Sequence, residues 1–141
     1  MTLHHPRPGL RRRTCLLAAW PGWAFAAANA ATPLHEAMRR AEALRDEAVR
    51  AGDQAYGAVV LRGAEIVGAA PSRVVTANDP TAHAEMEAIR DAARRLGTRD
   101  LAGCVLVSTS RACRMCEAAA AWAGISRMVY GAALTEAGAP R

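Results

Sequence analysis

His83, Glu85, Cys113 and Cys116 are the residues whose types and spacing could do chemistry. His83-Ala84-Glu85 offers an imidazole nitrogen and, two residues on, a carboxylate. Thirty residues after the histidine, Cys113-Arg114-Met115-Cys116 offers two thiolates. Zinc takes nitrogen and sulfur ligands, and three protein ligands without a fourth leave a position for water, as in catalytic sites. Zinc acidifies such a water towards neutrality, and Glu85 is the carboxylate placed to take its proton and pass it on. The expected cofactor is one Zn2+ per chain, held by His83, Cys113 and Cys116. Taken singly these groups say less. A C-x-x-C pair alone could be a thiol–disulfide switch, and His83 alone would read as a structural histidine. Cys104 lies in an apolar run and reads as a small core residue. His35 reads as a solvated residue of the first helix.

The elements that must position these groups are legible from periodicity. Thr32-Pro33 is an N-cap followed by proline at the first helical position, and Leu34, Met38, Ala41, Leu44 and Ala48 recur at helical spacing up to Gly52. Residues 56–61 and 65–69 read as strands of a hairpin across Arg62-Gly63-Ala64. Residues 71–80 read as a loop, with Asp79 bending it and Thr81 capping a second helix that runs to Leu96 and closes at Gly97. A strand over 104–108, a helix from Cys113 to Gly124 and a strand over 127–130 complete the order α-β-β-α-β-α-β. The strand–helix–strand alternation at the end requires a parallel pair in an α/β layered sheet. Both ligand groups then fall in first helical turns. There the positive helix end favours thiolate at Cys113 and Cys116, which share a face at i and i+3.

The chain has 141 residues and a formal charge of +5, but the charge is unevenly placed. Arg7, Arg11, Arg12 and Arg13 precede an apolar stretch from Cys15 to Ala28, broken by Pro21 and Gly22, and Ala28-Asn29-Ala30 is an A-x-A cleavage site. Residues 1–30 therefore read as an export signal, with Arg12-Arg13 resembling a twin-arginine pair, and imply a periplasmic or otherwise exported protein. The stretch is too short and broken to span a bilayer. The alternative is a misassigned start before a cytoplasmic protein. Residues 31–141 form one domain, with no membrane association expected once the signal is removed. Past Ala30 there are fourteen arginines against thirteen acids, a net +1, and only Tyr56, Trp122 and Tyr130 are aromatic. That balance argues against a nucleic-acid partner.

Tyr56 to Gly131 resembles the cytidine/deoxycytidylate deaminase superfamily, in the branch of guanine deaminases and tRNA adenosine deaminases. The resemblance is carried by Asn78 to Glu85 with Met86-Glu87-Ala88-Ile89-Arg90, by Cys113 to Cys116, by Gly57-Ala58-Val59-Val60 and by Gly131-Ala132. It implies a three-layer α/β/α sandwich on a mixed sheet of four to five strands, a homodimer, and a small-molecule base or nucleoside as partner. The implied reaction is hydrolytic release of ammonia from a base, guanine first, with Glu85 moving protons without ligating the metal. Candidate substrate contacts are Tyr56, Ser72 and Ala84. The departures concern the base-reading shell. Ser72 stands where the family has an asparagine, Arg111 where it has an acid, Ala112 where it has proline and Ala55-Tyr56 where it has Pro-Phe. The C-terminal segment also reads as short. Alternative readings are a tRNA adenosine or cytosine deaminase, and a degenerate deaminase-like domain that binds zinc as a structural or interaction module.

Overall fold

The computed structural model describes residues 32–141; the export signal expected in residues 1–30 lies outside the described residues. The elements are α1 (Pro33–Arg50), β1 (Gly57–Arg62), β2 (Glu65–Pro71), α2 (Ala84–Leu96), β3 (Cys104–Ser108), α3 (Arg114–Trp122), β4 (Arg127–Tyr130) and β5 (Thr135–Gly138). The five strands form one mixed sheet in the order β2-β1-β3-β4-β5. The expected hairpin is the antiparallel pair β1–β2, and the expected parallel pair is β3–β4, joined through α3. None of the described helices is long and apolar enough to cross a membrane.

Alternation along the strands sorts the core into two layers. Val59, Leu61 and Val107 face α1, where they meet Ala37, Met38, Ala41 and Leu44. Ala58, Val60, Leu106 and Met128 face the other way, towards Ala84, Ala88 and Ala92 of α2 and Ala120 of α3. The result is the three-layer α/β/α sandwich. Because helices cover both faces, the first five residues of β1 are all buried. Two strand glycines set the spacing. A Cβ at Gly57 would lie 2.0 Å from the Ala41 carbonyl oxygen, and one at Gly68 would lie 2.4 Å from that of Ala88. Both contacts are with helix backbone, so α1 and α2 can seat closely only against glycine.

Three details differ from expectation. Thr81 does not cap α2, because its backbone N–H and hydroxyl both donate to Asp79 Oδ1, at 2.7 and 2.8 Å, in an Asx turn. The helix starts three residues later with His83 as N-cap, and α3 likewise starts one residue after Cys113. Finally, β5 pairs antiparallel with β4 at the sheet edge. Its residues are almost all exposed, so it lacks the apolar alternation by which a strand is recognised. Arg127 of β4 clasps Glu136 of β5, its Nε donating to both carboxylate oxygens at 2.7 and 3.0 Å.

Candidate active site

Two loops deliver the chemical groups. The first runs from the end of β2 to α2. Its ends are tied by Arg73 N–H donating to the Ala82 carbonyl at 2.9 Å, which presents His83 at the mouth of α2. The second follows β3, where Thr109 and Gly57 exchange hydrogen bonds: Thr109 N–H donates to the Gly57 carbonyl at 3.0 Å, and Gly57 N–H to Thr109 Oγ1 at 3.2 Å. The Ser108 hydroxyl donates to the Ser110 carbonyl at 2.5 Å. That loop presents Cys113 at the mouth of α3. His83 and Cys113 both stand at N-cap positions, and neither side chain caps its helix. Giving up an N-cap bond costs about 1 kcal/mol per helix. The side chains turn instead towards one another.

The three candidate ligands form a nearly equilateral triangle. Cys113 Sγ lies 3.7 Å from Cys116 Sγ and 3.7 Å from His83 Nδ1, and Cys116 Sγ lies 3.6 Å from His83 Nδ1. Tetrahedral zinc with sulfur at about 2.3 Å and nitrogen at about 2.05 Å requires edges of about 3.8 and about 3.6 Å. The residues fit the metal. No other group of histidine, cysteine or acidic side chains with this geometry occurs among the described residues. Cys104 is fully buried in the apolar core, away from the cluster, as its sequence context required. His35 is paired with the N-cap Thr32 on the exposed start of α1, its Nδ1 2.6 Å from Thr32 Oγ1.

Glu85, on the first turn of α2, is 5% exposed, and the Cys116 thiol donates to its Oε2 at 3.8 Å. Burial raises the Glu85 pKa above the ordinary value, outweighing its own backbone N–H, the nearby His83 and the Cys116 thiol. Burial, followed by the neighbouring Glu85 charge, also pushes the Cys116 thiol well up. That is opposite to the effect expected from the helix end. Desolvation outweighs a half-charge dipole at this depth, so the thiolate form of Cys116 needs a cation beside it.

A cavity of about 260 Å³ opens over this corner, lined by Gln54, Tyr56, His83, Glu85, Ser110, Arg111 and Cys113. It lies just below the usual range of small-molecule sites. Of the three expected substrate contacts, only Tyr56 lines it. Ala84 is buried in the hydrophobic cluster beneath. Ser72 lines a separate cavity with Glu47, Pro71, Arg73 and Thr76, and its hydroxyl donates to Asp53 Oδ1 at 2.8 Å. Ser72 is not among the residues that line the cavity over the metal corner. The lining residues that sequence reasoning missed are Gln54 and Ser110. Each is a polar residue in a loop within three positions of a marked residue, Tyr56 or Cys113, and that proximity was the available signal.

Residues 31–132 match the family of the cytidine and deoxycytidylate deaminase zinc-binding region. The chain belongs to that family. Among curated relatives, it is 44% identical over 124 residues to the tRNA(Ile)-lysidine synthase of Deinococcus radiodurans, covering 84% of this chain but 21% of that protein. It is 40% identical over 101 residues to the guanine deaminase of Bacillus subtilis, covering 71% of this chain and 65% of the relative. A solved structure of the Bacillus subtilis guanine deaminase superposes with a TM-score of 0.66 at 39% identity, over 69% of this chain and 62% of that one. The tRNA-specific adenosine deaminase of Aquifex aeolicus is 38% identical over 99 residues, covering 70% of this chain and 63% of the relative. The chain thus spans just under two thirds of these deaminases and about a fifth of the synthase. The deaminase family membership and the cytidine-deaminase-like sandwich agree with the sequence reading.

Proposed function

We propose that this protein is a zinc-dependent hydrolase that removes the exocyclic amine of a nucleobase or nucleoside, guanine being the leading base. The observation that carries the reading is the His83–Cys113–Cys116 triangle with Glu85 beside it and a base-sized cavity above. His83, Cys113 and Cys116 would hold the zinc. Zinc, when bound, supplies the Lewis acidity that makes water nucleophilic at neutral pH. Glu85 takes a proton from the attacking water and returns it to the departing amine, so that water and the amino-substituted ring become the ring carbonyl and ammonia. Its raised pKa suits a group that must accept and release a proton in each turnover. Tyr56 offers a half-exposed ring against which a base can stack. Gln54 offers an amide with donor and acceptor for a base edge, the role that the buried Ser72 hydroxyl, committed to Asp53, does not fill.

The test is ammonia release from guanine, adenine, cytosine and their nucleosides, with Glu85→Ala as control. Turnover of guanine that falls at least a thousandfold in Glu85→Ala supports the reading. Equal rates in the two proteins would sink the mechanism, and a zinc-loaded chain that turns over nothing would favour a binding module. The likeness to tRNA adenosine deaminases supports a second reading, deamination within tRNA, against which the near-neutral charge past Ala30 weighs. A homodimer belongs to the proposal, and Trp122, 90% exposed on α3, is the apolar residue a second copy would cover. So does export of the domain by residues 1–30.

A further inference from the structure

Gln54 and Tyr56 line the metal pocket, yet the segment that carries them, between α1 and β1, belongs to no helix or strand. Neither residue is buried, so packing does not hold them at the pocket. Ordering such a segment costs backbone entropy, which specific bonds must offset. Asp53 supplies them. Its own N–H donates to the Ala48 carbonyl at 2.9 Å, which fixes it on the last turn of α1. From its Oδ1 a closed ring of hydrogen bonds runs through the pocket wall. Gln54 N–H donates to Oδ1 at 2.8 Å, and Tyr56 N–H donates to the Gln54 carbonyl at 2.7 Å. Ser72 N–H donates to the Tyr56 carbonyl at 3.0 Å, and the Ser72 hydroxyl returns to Oδ1 at 2.8 Å. The other oxygen, Oδ2, accepts from Val75 N–H, Thr76 N–H and the Thr76 hydroxyl at 2.8 to 3.0 Å. Those two residues lie in the loop whose far end presents His83. One carboxylate thus joins the wall against which a base would lie to the loop that carries a metal ligand.

Asp53 is neither a metal ligand nor part of the pocket lining. We propose that it is a positioning residue: it sets where Gln54 and Tyr56 hold the base relative to the zinc corner, an inference that rests on the deaminase reading. Ser72 is a lesser member of the ring. Its N–H bond to Tyr56 comes from the backbone and survives loss of the hydroxyl, whereas loss of the Asp53 carboxylate frees five donors at once.

The test is a double-mutant cycle between Asp53 and Gln54 on zinc-loaded, full-length protein, read in KM for guanine against kcat. Asp53→Ala should raise KM about fivefold, the scale of one misplaced hydrogen bond to the base. It should keep kcat within about threefold and still hold zinc. A merely structural carboxylate would do the reverse, since fewer folded molecules lower kcat and leave KM alone. Gln54→Ala should raise KM by a similar factor. The double variant should go little beyond either single change, because the second substitution removes a contact already misplaced. Asp53→Asn, which keeps one acceptor oxygen, should fall between wild type and Asp53→Ala, and it takes the place of Asp53→Ala in the cycle if that variant does not fold. An unchanged KM at the Asp53 substitution overturns the inference, as do KM increases that multiply in the double variant. The same cycle read in dissociation constants, by equilibrium dialysis against labelled guanine, separates the two claims. Coupled dissociation constants without ammonia release would sink the deaminase reading alone. Ammonia release with independent effects would sink this inference alone, and wild-type protein that neither binds nor turns over guanine overturns both.

Discussion

Asp53, in the loop between α1 and β1, binds the start of the loop that joins β2 to α2, and Glu85 stands at that loop's far end on the first turn of α2; the surroundings of these two carboxylates differ in kind. Asp53 accepts five hydrogen bonds, from the backbone N–H groups of Gln54, Val75 and Thr76 and the hydroxyls of Ser72 and Thr76, at 2.8 to 3.0 Å. Burial acts to raise its pKa, but the bonds from Thr76, Ser72 and Gln54 prevail and hold it well below the ordinary carboxylate range. Glu85 is more deeply buried and has few donors, and burial moves its pKa the other way. A carboxylate whose lone pairs are all taken stays ionised and pins a loop. One buried with little company exchanges protons. The same residue chemistry becomes scaffold at one corner and reagent at the other.

The sharpest break between the corners should come from Glu85→Ala against Cys116→Ala. Both should lower ammonia release at least a thousandfold. Elemental analysis should find about one zinc per chain in Glu85→Ala and almost none in Cys116→Ala, since only the second removes a ligand. Loss of zinc from both would merge Glu85 into the ligand set and erase its separate role. A chelator should likewise lower the melting temperature of the wild-type protein and leave Cys116→Ala unmoved.

Asp53→Ala tests the scaffold corner. Chemical denaturation should show a loss of about 2 to 3 kcal/mol, the scale of hydrogen bonds to a charged acceptor. Zinc should stay bound, because the Asx turn at Asp79 still delivers His83. Acid adds a sign. The folded pKa of Asp53 is depressed, so its contribution is whole above the unfolded value of about 3.9 and drains away as pH falls below it. Melting temperatures from pH 6 down to 3 should therefore fall more steeply in the wild type than in Asp53→Asn. Parallel curves would show that the carboxylate is not the anchor.

Ser72→Ala is the smallest and most discriminating change. It should cost about 1 kcal/mol, by removing one of the Asp53 bonds, and leave KM for the base within twofold. A large rise in KM with stability intact would return Ser72 to the base-reading role and dissolve the contrast between the corners. Gln54→Ala should show the converse, a raised KM with little loss of stability, because Gln54 lines the metal pocket.

What the sequence could reveal follows the range of the signal. The hairpin across Gly63, the strands over 104–108 and 127–130 and the closure of α2 at Gly97 rest on local periodicity and turn chemistry, and the structure has them there. Local preference places the start of α2 near Thr81, whereas Asp79 and Thr81 bond to each other and the helix begins at Ala84, an alternative that local preference alone does not rank below capping. β5, the fifth strand that the family resemblance allows, has no signal of its own in periodicity, because its pairing with β4 depends on a neighbouring strand and an Arg127–Glu136 clasp, not on its own burial.

By itself the sequence picked out His83, Cys113 and Cys116 as candidate ligands, the carboxylate two residues from the histidine, and an α/β layered sheet to carry them, the third layer following from the family resemblance. Zinc chemistry depends on residue type and spacing, and layering depends on periodicity, and both are written along the chain. Tertiary structure alone decided the partners. It placed His83 and Cys113 on helix caps with their side chains turned to each other and gave the Ser72 hydroxyl to Asp53. Those choices join residues far apart in sequence, where the competition for each donor and each cavity wall is settled only when the chain is packed.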